Sequence, residues 1–353
     1  MATLSQADNW SAIDEQTGRV GVVMTDNNAV LVTGSEGFIG RALASRLRES
    51  GRRVVGVDRV VDPTSSGGDS IWCDLAGLTD DGLTHDSVIT QPCPPTIIHL
   101  AAVCKEPGYP WRDYYANNAE ATRRLCEAAD QAGVRNIIFT STMMTFAAGP
   151  WRRSESDFGD PDTAYGCSKL QAEEILRAWQ GAKPERRLRI VRPGVVFGPG
   201  DEGNMQRLVN ALHRRRFAYI GRQDTVKGCV YIRDLVELLV RLIDDGGPHD
   251  TYHAVYPEPT TIREIVDAIN LAWGWKRRPP TIPYRLALGA AAPFALVDPL
   301  GSRFGIHPRR IQKLHLDTNV SASRLADIGF TPQYSLSEAF SDWRRECGGG
   351  LPS

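Results

Sequence analysis

Tyr165 and Lys169, in YGCSK (165–169), stand four residues apart, so on a helix they share one face. A tyrosine hydroxyl ionises near pH 10 and is a poor base at neutral pH. A neighbouring ammonium stabilises phenolate and lowers that value. The pair can then take a proton from an alcohol whose carbon gives up a hydride. Y-x-x-x-K alone is common, and a surface tyrosine lying on a lysine stem is the ordinary alternative, so the surrounding residues must decide. TSTMM (140–144) supplies hydroxyls. It closes the strand-like run Asn136–Phe139 with three small hydroxyl residues, then turns to two thioethers.

The second constellation is VLVTGSEGFIG (30–40), with Gly34, Gly37 and Gly40 between an apolar run and a helical pattern. In such a loop the first glycine allows a tight turn, the second admits a pyrophosphate to the backbone, and the third lets helix and strand pack closely. The helix N-terminal amides then face the phosphates. A further run ends in Asp58, within the roughly 20 residues expected of an acid that accepts hydrogen bonds from an adenosine ribose. That acid would repel a 2′-phosphate, so NAD is expected over NADP, with Arg59 beside it as the competing contact.

Elements that would position these groups are visible as short unalternating runs separated by helical stretches. AVLVT (29–33), RVVGV (53–57), SIWC (70–73), TIIHL (96–100), IIFT (137–140) and LRIV (188–191) read as strands. Helices are expected over 38–50, 112–132 and 163–180. Such runs mark a parallel sheet covered on both faces. After Arg192 the glycines and prolines of 193–200 break the rhythm, and YIRDLVELLVRLI (231–243) returns a strong amphipathic helix. The expected class is therefore α/β: a Rossmann-type doubly wound parallel sheet with a smaller mixed C-terminal substrate lobe. Residues 1–28 read as a flexible extension and 29–192 as the dinucleotide domain, with 229–255 returning to it. Residues 193–228 and 256–346 read as the lobe, with a ligand bound between the two.

Composition narrows the function class. A net charge of −1 favours neither nucleic acid nor an anionic membrane as partner, and Arg214–Arg216 and Lys276–Arg278 read as solvated clusters. Seven cysteines without a C-x-x-C pair fit a reducing cytosol, so a cytoplasmic location is expected. No secretory signal is visible at the N-terminus. The longest apolar stretch, 286–297, is interrupted by Gly289 and Pro293 and falls short of the roughly 20 residues of a membrane span. No metal site is expected.

Taken together, TGSEGFIG, Asp58, CDL (73–75), HLAA (99–102), NAEAT (118–122), TST (140–142), YGCSK and RPGVVFGPG (192–200) resemble the extended short-chain dehydrogenase/reductases. The resemblance covers about residues 29 to 346 and is nearest the nucleotide-sugar epimerase/dehydratase branch, UDP-glucose 4-epimerases in particular. It implies bound NAD, a nucleotide-sugar substrate, a homodimer formed through helices flanking the Tyr–Lys segment, and Thr142, Tyr165 and Lys169 as the catalytic set. By motif position Phe38 and Ile39 accompany the glycines, Asp74 and Leu75 line the adenine pocket, and Leu100, Ala101 and Ala102 line the path to the nicotinamide. Asn118 braces the active-site end of the sheet, and Thr140 and Pro193 complete the cofactor set. Asn204 and Lys227 would join Thr142 and Tyr165 on the substrate.

Departures bear on the reaction. Where the family's 4,6-dehydratases carry Asp-Glu after the catalytic Ser/Thr, this chain has Met143 and Met144, and a thioether neither donates nor accepts a proton in that role. Val195 stands where many sugar-nucleotide relatives have Asn, and Phe146 where they have Tyr. Lys227 replaces a frequent Arg, a point charge in place of a bidentate fork. Two other readings stay open: a 3β-hydroxysteroid-type dehydrogenase, with 286–297 lining an apolar pocket, and a non-catalytic NAD-sensing protein.

Overall fold

The structure, a computed structural model, describes residues 28–60, 70–76, 94–106, 108–244, 247–293 and 307–352. It also describes Ile13–Asp14, which pairs antiparallel with Arg19–Val20. The rest of the expected 1–28 extension, and residues 294–297 of the apolar stretch, lie outside the described residues.

The chain first lays down β1 (Ala29–Thr33), α1 (Phe38–Glu49), β2 (Arg53–Asp58), β3 (Ser70–Trp72) and β4 (Thr96–His99). Next come α2 (Trp111–Tyr114), a π-helical stretch Tyr115–Glu120, α3 (Ala121–Gln131) and β5 (Asn136–Thr140). After β6 (Gly149–Arg153), α4 (Ala164–Gly181) and β7 (Arg187–Pro193) follow β8 (Val195–Phe197), α5 (Asn204–His213), β9 (Tyr219–Ile220), β10 (Cys229–Tyr231), α6 (Ile232–Asp244) and β11 (Thr251–Ala254). The last part holds α7 (Ile262–Trp273), β12 (Thr281–Ile282), α8 (Tyr284–Ala291), α9 (Pro308–His315), β13 (Thr318–Val320) and α10 (Leu336–Glu346).

Seven parallel strands form one sheet in the order β11-β7-β5-β4-β1-β2-β3. Its strands need apolar residues at successive positions because both faces are covered. Val30 and Val32 of β1 face Leu43 and Leu47 of α1 and Leu235 and Leu239 of α6. Leu31, between them, faces the opposite core of Ile97, Ile137, Leu125 and Leu176. The chain runs outward from β1 in one direction and from β4 in the other. The crevice at the carboxyl ends of these two strands is therefore the switch point where such sheets bind ligands.

Three short parallel pairs, β8–β10, β9–β12 and β6–β13, tie the later segments to this frame. Helices α7 and α10 each begin with a complete capping box, Thr261/Glu264 and Ser335/Glu338, which satisfies amide donors that would otherwise be orphaned. Phe340 of α10 stacks on Phe197 with centroids 4.6 Å apart, so the C-terminal helix closes the core behind β8.

Candidate active site

The glycine loop is shaped by contacts that side chains would prevent. Gly34 has φ +72°, and a Cβ there would lie 2.7 Å from the Ala101 nitrogen; one on Gly40 would lie 2.1 Å from the Gly34 carbonyl. The Gly34 amide donates to the Val57 carbonyl at 2.8 Å, and Gly37 is the N-cap of α1. A backbone cradle opens onto a helix start, and the buried Ser35 hydroxyl within it has no partner among the described residues. The cradle therefore fits a dinucleotide pyrophosphate, which would meet amides and that hydroxyl.

Asp58 at the end of β2 accepts from the Glu36 amide (2.9 Å) and the Val60 amide (3.1 Å). One carboxylate thus orients the glycine loop while keeping lone pairs for ribose hydroxyls. Arg59 is exposed and donates to Asn117 at 3.3 Å. Asp74 accepts from the Ala76 amide at 3.1 Å, Leu75 is buried, and the Cys73 amide donates to the Asp58 carbonyl. Phe38 and Ile39 open α1 half-buried, with Phe38 facing Gly200. Asp58→Ala is expected to weaken NAD binding and narrow the preference over NADP, measured by titration with both dinucleotides. Asp58→Asn, whose one carbonyl oxygen can still accept from the Glu36 amide, separates lost charge from lost loop geometry. If the wild-type protein binds NADP more tightly, Arg59 is the dominant contact.

Between loop and catalytic residues lies a buried polar chain. The Thr122 hydroxyl donates to the Asn118 carbonyl (2.5 Å), so its oxygen accepts from His99 Nε2 (3.0 Å). His99 Nδ1 then accepts from the Thr33 hydroxyl (2.7 Å), whose oxygen lies 3.3 Å from the Ala101 amide. This sequence fixes a neutral His99 protonated on Nε2. Burial, then the Lys169 charge, lowers its pKa to about 3. Asn118 clamps the backbone of Val103 at both ends (2.8 and 3.1 Å) and donates to Ser168 of α4 at 2.9 Å. Leu100, Ala101 and Ala102 follow β4 half-buried, held in register by the Leu100 amide bonded to Thr33. Thr140 and Pro193 are buried at the ends of β5 and β7, and the Thr140 hydroxyl has no partner among the described residues.

A second buried histidine, His253, is likewise held neutral, its pKa lowered to about 4, chiefly by burial. Both histidines have folded values below their ordinary 6.5. The unfolded chain therefore binds protons in acid that the folded chain does not. Their contribution is complete above pH 6.5 and is lost as pH falls toward 3 to 4, by about 1.4 kcal/mol per pH unit for each histidine. Denaturant titrations at a series of pH values should show that slope; a flat profile below neutrality would contradict both assignments.

Tyr165 and Lys169 are buried on α4, whose N-cap Thr163 accepts from the Gly166 amide at 3.0 Å. Gly166 is required there because a Cβ would lie 2.1 Å from the Met144 carbonyl. This close approach brings TSTMM onto the helix. The Thr142 oxygen accepts from the Met144 amide at 3.1 Å, and its hydroxyl is in hydrogen-bond contact with Tyr165. Burial pushes the Tyr165 phenol above its ordinary value; the neighbouring Cys104 and Tyr114 push the same way, and Thr142 opposes them. Lys169 follows Tyr165 by four residues on the same helix, where its charge favours the phenolate. Here the ammonium lies 4.0 Å from the Phe139 ring centroid, and its own pKa falls to about 7 through burial, with Glu173 opposing. Met143 points into the core beneath Gly228, while Met144 packs beside Tyr165.

Sequence reasoning missed the buried charge beside this set. Glu173 takes two bonds from Arg192 (2.8 and 2.6 Å) and one from the Ser141 hydroxyl (2.6 Å). Glu173 follows Lys169 by four residues on the same buried face, a spacing that could have revealed it. Lys227 and Asn204 are not brought to Tyr165 as directly. Lys227 donates to the carbonyls of Lys313 and Leu316, both at 2.6 Å, and so caps α9. Burial lowers its pKa to about 8. Asn204 is exposed at the first position of α5.

The chain belongs to the NAD dependent epimerase/dehydratase family, whose model matches residues 30–254. It is an NAD-dependent enzyme of the epimerase/oxidoreductase type. It is 34% identical over 266 residues to a UDP-glucose 4-epimerase of Yersinia pestis, covering 69% of this chain and 71% of that one. It is 29% identical over 246 residues to N-acetyl-alpha-D-glucosaminyl-diphospho-ditrans,octacis-undecaprenol 4-epimerase of Escherichia coli O157:H7, covering 69% and 74%. Among solved structures, MoeE5 in complex with UDP-glucuronic acid and NAD superposes with a TM-score of 0.69 at 25% identity, covering 90% of this chain and 99% of that one.

Proposed function

We propose that this chain is a C4 epimerase, or a closely related C4 oxidoreductase, of sugars carried on a diphosphate, most simply a nucleoside diphosphate. The observation that carries this reading is the convergence of Thr142, Tyr165 and Lys169 in one buried corner beside a dinucleotide cradle, with two thioethers next in sequence. The relatives named as UDP-glucose 4-epimerases support the substrate class. Bound NAD supplies the hydride acceptor and, in reverse, the donor. Tyr165 takes the C4 hydroxyl proton and returns it, Thr142 holds the reacting oxygen, and Lys169 binds the nicotinamide ribose. Residues 193–228 and 256–346 form the substrate lobe, where Lys227 keeps one ammonium hydrogen for the diphosphate. We also propose a homodimer in which the exposed Trp111 and Tyr115 beside α3 are covered.

The test is incubation of the purified chain with UDP-, dTDP- and GDP-hexoses without added cofactor, following product stereochemistry. Epimers should appear without net accumulation of reduced nicotinamide. No product lighter by one water should form at a comparable rate, because elimination needs a positioned base and acid that Met143 and Met144 do not provide. Absence of any epimer would sink the reading. A relative named 3-beta-hydroxysteroid dehydrogenase, of Mycolicibacterium neoaurum, covers 90% of this chain at 24% identity. A steroid alcohol oxidised with stoichiometric reduction of added NAD would favour that second reading.

A further inference from the structure

Helix α8 reads YRLALGAA, apolar on every side but for Arg285. One face, Tyr284, Ala287, Leu288 and Ala291, packs into a small cluster with Ile220 and Ile311. The opposite face, Leu286, Gly289 and Ala290, is exposed, as are Ile282 before it and Pro293 beyond it. Leu286 is 67% exposed and Leu314 of neighbouring α9 is 44% exposed. A helix apolar all round is normally covered all round, and a cluster of exposed apolar side chains marks a contact surface. The surrounding charge is one-sided. Residues 276–293 carry Lys276, Arg277, Arg278 and Arg285 and no aspartate or glutamate, in a chain whose net charge is −1. Arg285 is exposed and has no acidic partner among the described residues.

We infer that the outer face of α8, with the basic residues around it, is a contact surface for an anionic lipid bilayer. An apolar stripe flanked by cations is what lies in such an interface, the apolar side chains entering the headgroup boundary and the cations meeting lipid phosphates. The near-neutral charge of the whole chain conceals this because acidic residues elsewhere balance the count. No helix among the described residues is long and apolar enough to cross a membrane, so the contact is peripheral. The surface adjoins the site: Lys313 of α9 pairs with Glu106 at 4.0 Å, in the segment after β4, and Lys227 is bonded to the end of the same helix.

The experiment is co-sedimentation of the full chain with phosphatidylcholine vesicles with and without phosphatidylglycerol, at low and high salt. Binding should require the anionic lipid and fall with salt. Arg285→Gln should weaken it about fivefold, the value of one interfacial charge, and Leu286→Glu by more than that. Phe158→Glu, at an exposed apolar residue elsewhere, should leave it unchanged. Circular dichroism melts confirm that each variant is folded. Wild-type binding that is absent, or equal on neutral vesicles, overturns the inference. So does a wild-type dimer that Leu286→Glu converts to monomer in the absence of lipid, which would make a second copy of the chain the occupant.

Discussion

Tyr165→Phe is expected to lower turnover by about 10²- to 10⁴-fold, the range for loss of a positioned acid–base group, while leaving the fold intact. The phenylalanine keeps the ring that sits 6.2 Å from Tyr114 and packs with Val103, and no backbone bond depends on the hydroxyl. The expected size follows from the surroundings. Burial, Cys104 and Tyr114 push the Tyr165 phenol up, and the Thr142 hydroxyl opposes them. The side chains around it thus hold the proton on Tyr165. Thr142→Ala removes the one opposing hydrogen bond, so it should shift the pH profile of turnover upward as well as lower its maximum. The measurement is steady-state turnover against pH for wild type and both variants. A Tyr165→Phe enzyme with near-normal turnover would remove that residue from the chemistry.

How much of this arrangement was legible in the sequence depends on how local its cause is. The parallel sheet follows from runs such as Ala29–Thr33 and Asn136–Thr140, whose burial at nearly every position leaves no polar alternation to read. The loop was legible because glycine is the only residue that fits where a Cβ would meet backbone at 2.1 Å. Less was visible where partners come from distant segments. The expected continuous helix over 112–132 is interrupted by the π-helical turn Tyr115–Glu120, which points Asn118 at Val103 and Ser168. Propensity alone holds no signal for that extra residue per turn. The second task of Lys227 was hidden because its two carbonyl partners, Lys313 and Leu316 at the end of α9, lie some ninety residues on. Helical spacing likewise puts Lys169 on the face of Tyr165 but does not show that its ammonium lies over the Phe139 ring.

The largest stability effect is expected at Glu173. Its carboxylate is almost wholly buried and holds Arg192, itself buried, through two bonds, while Ser141 donates a third. Removing one member of a buried ion pair leaves the other charged and uncompensated, which costs about 3–5 kcal/mol. Replacing both members with apolar residues of similar volume costs far less, because no charge is left behind. Glu173→Ala should therefore destabilise the chain by about that amount, and Glu173→Met combined with Arg192→Met should recover much of the loss. The same pair serves the site. Ser141 precedes Thr142, and Glu173 opposes the burial that lowers the Lys169 pKa. Glu173→Gln, which keeps the shape and loses the charge, should move the Lys169 titration to lower pH, so binding that needs the ammonium should weaken earlier as pH rises. Denaturant unfolding of the two single variants and the double variant, with cofactor titrations against pH, separates the two roles. A double variant no more stable than Glu173→Ala would show that the loss comes from repacking between α4 and β7 rather than from an orphaned guanidinium.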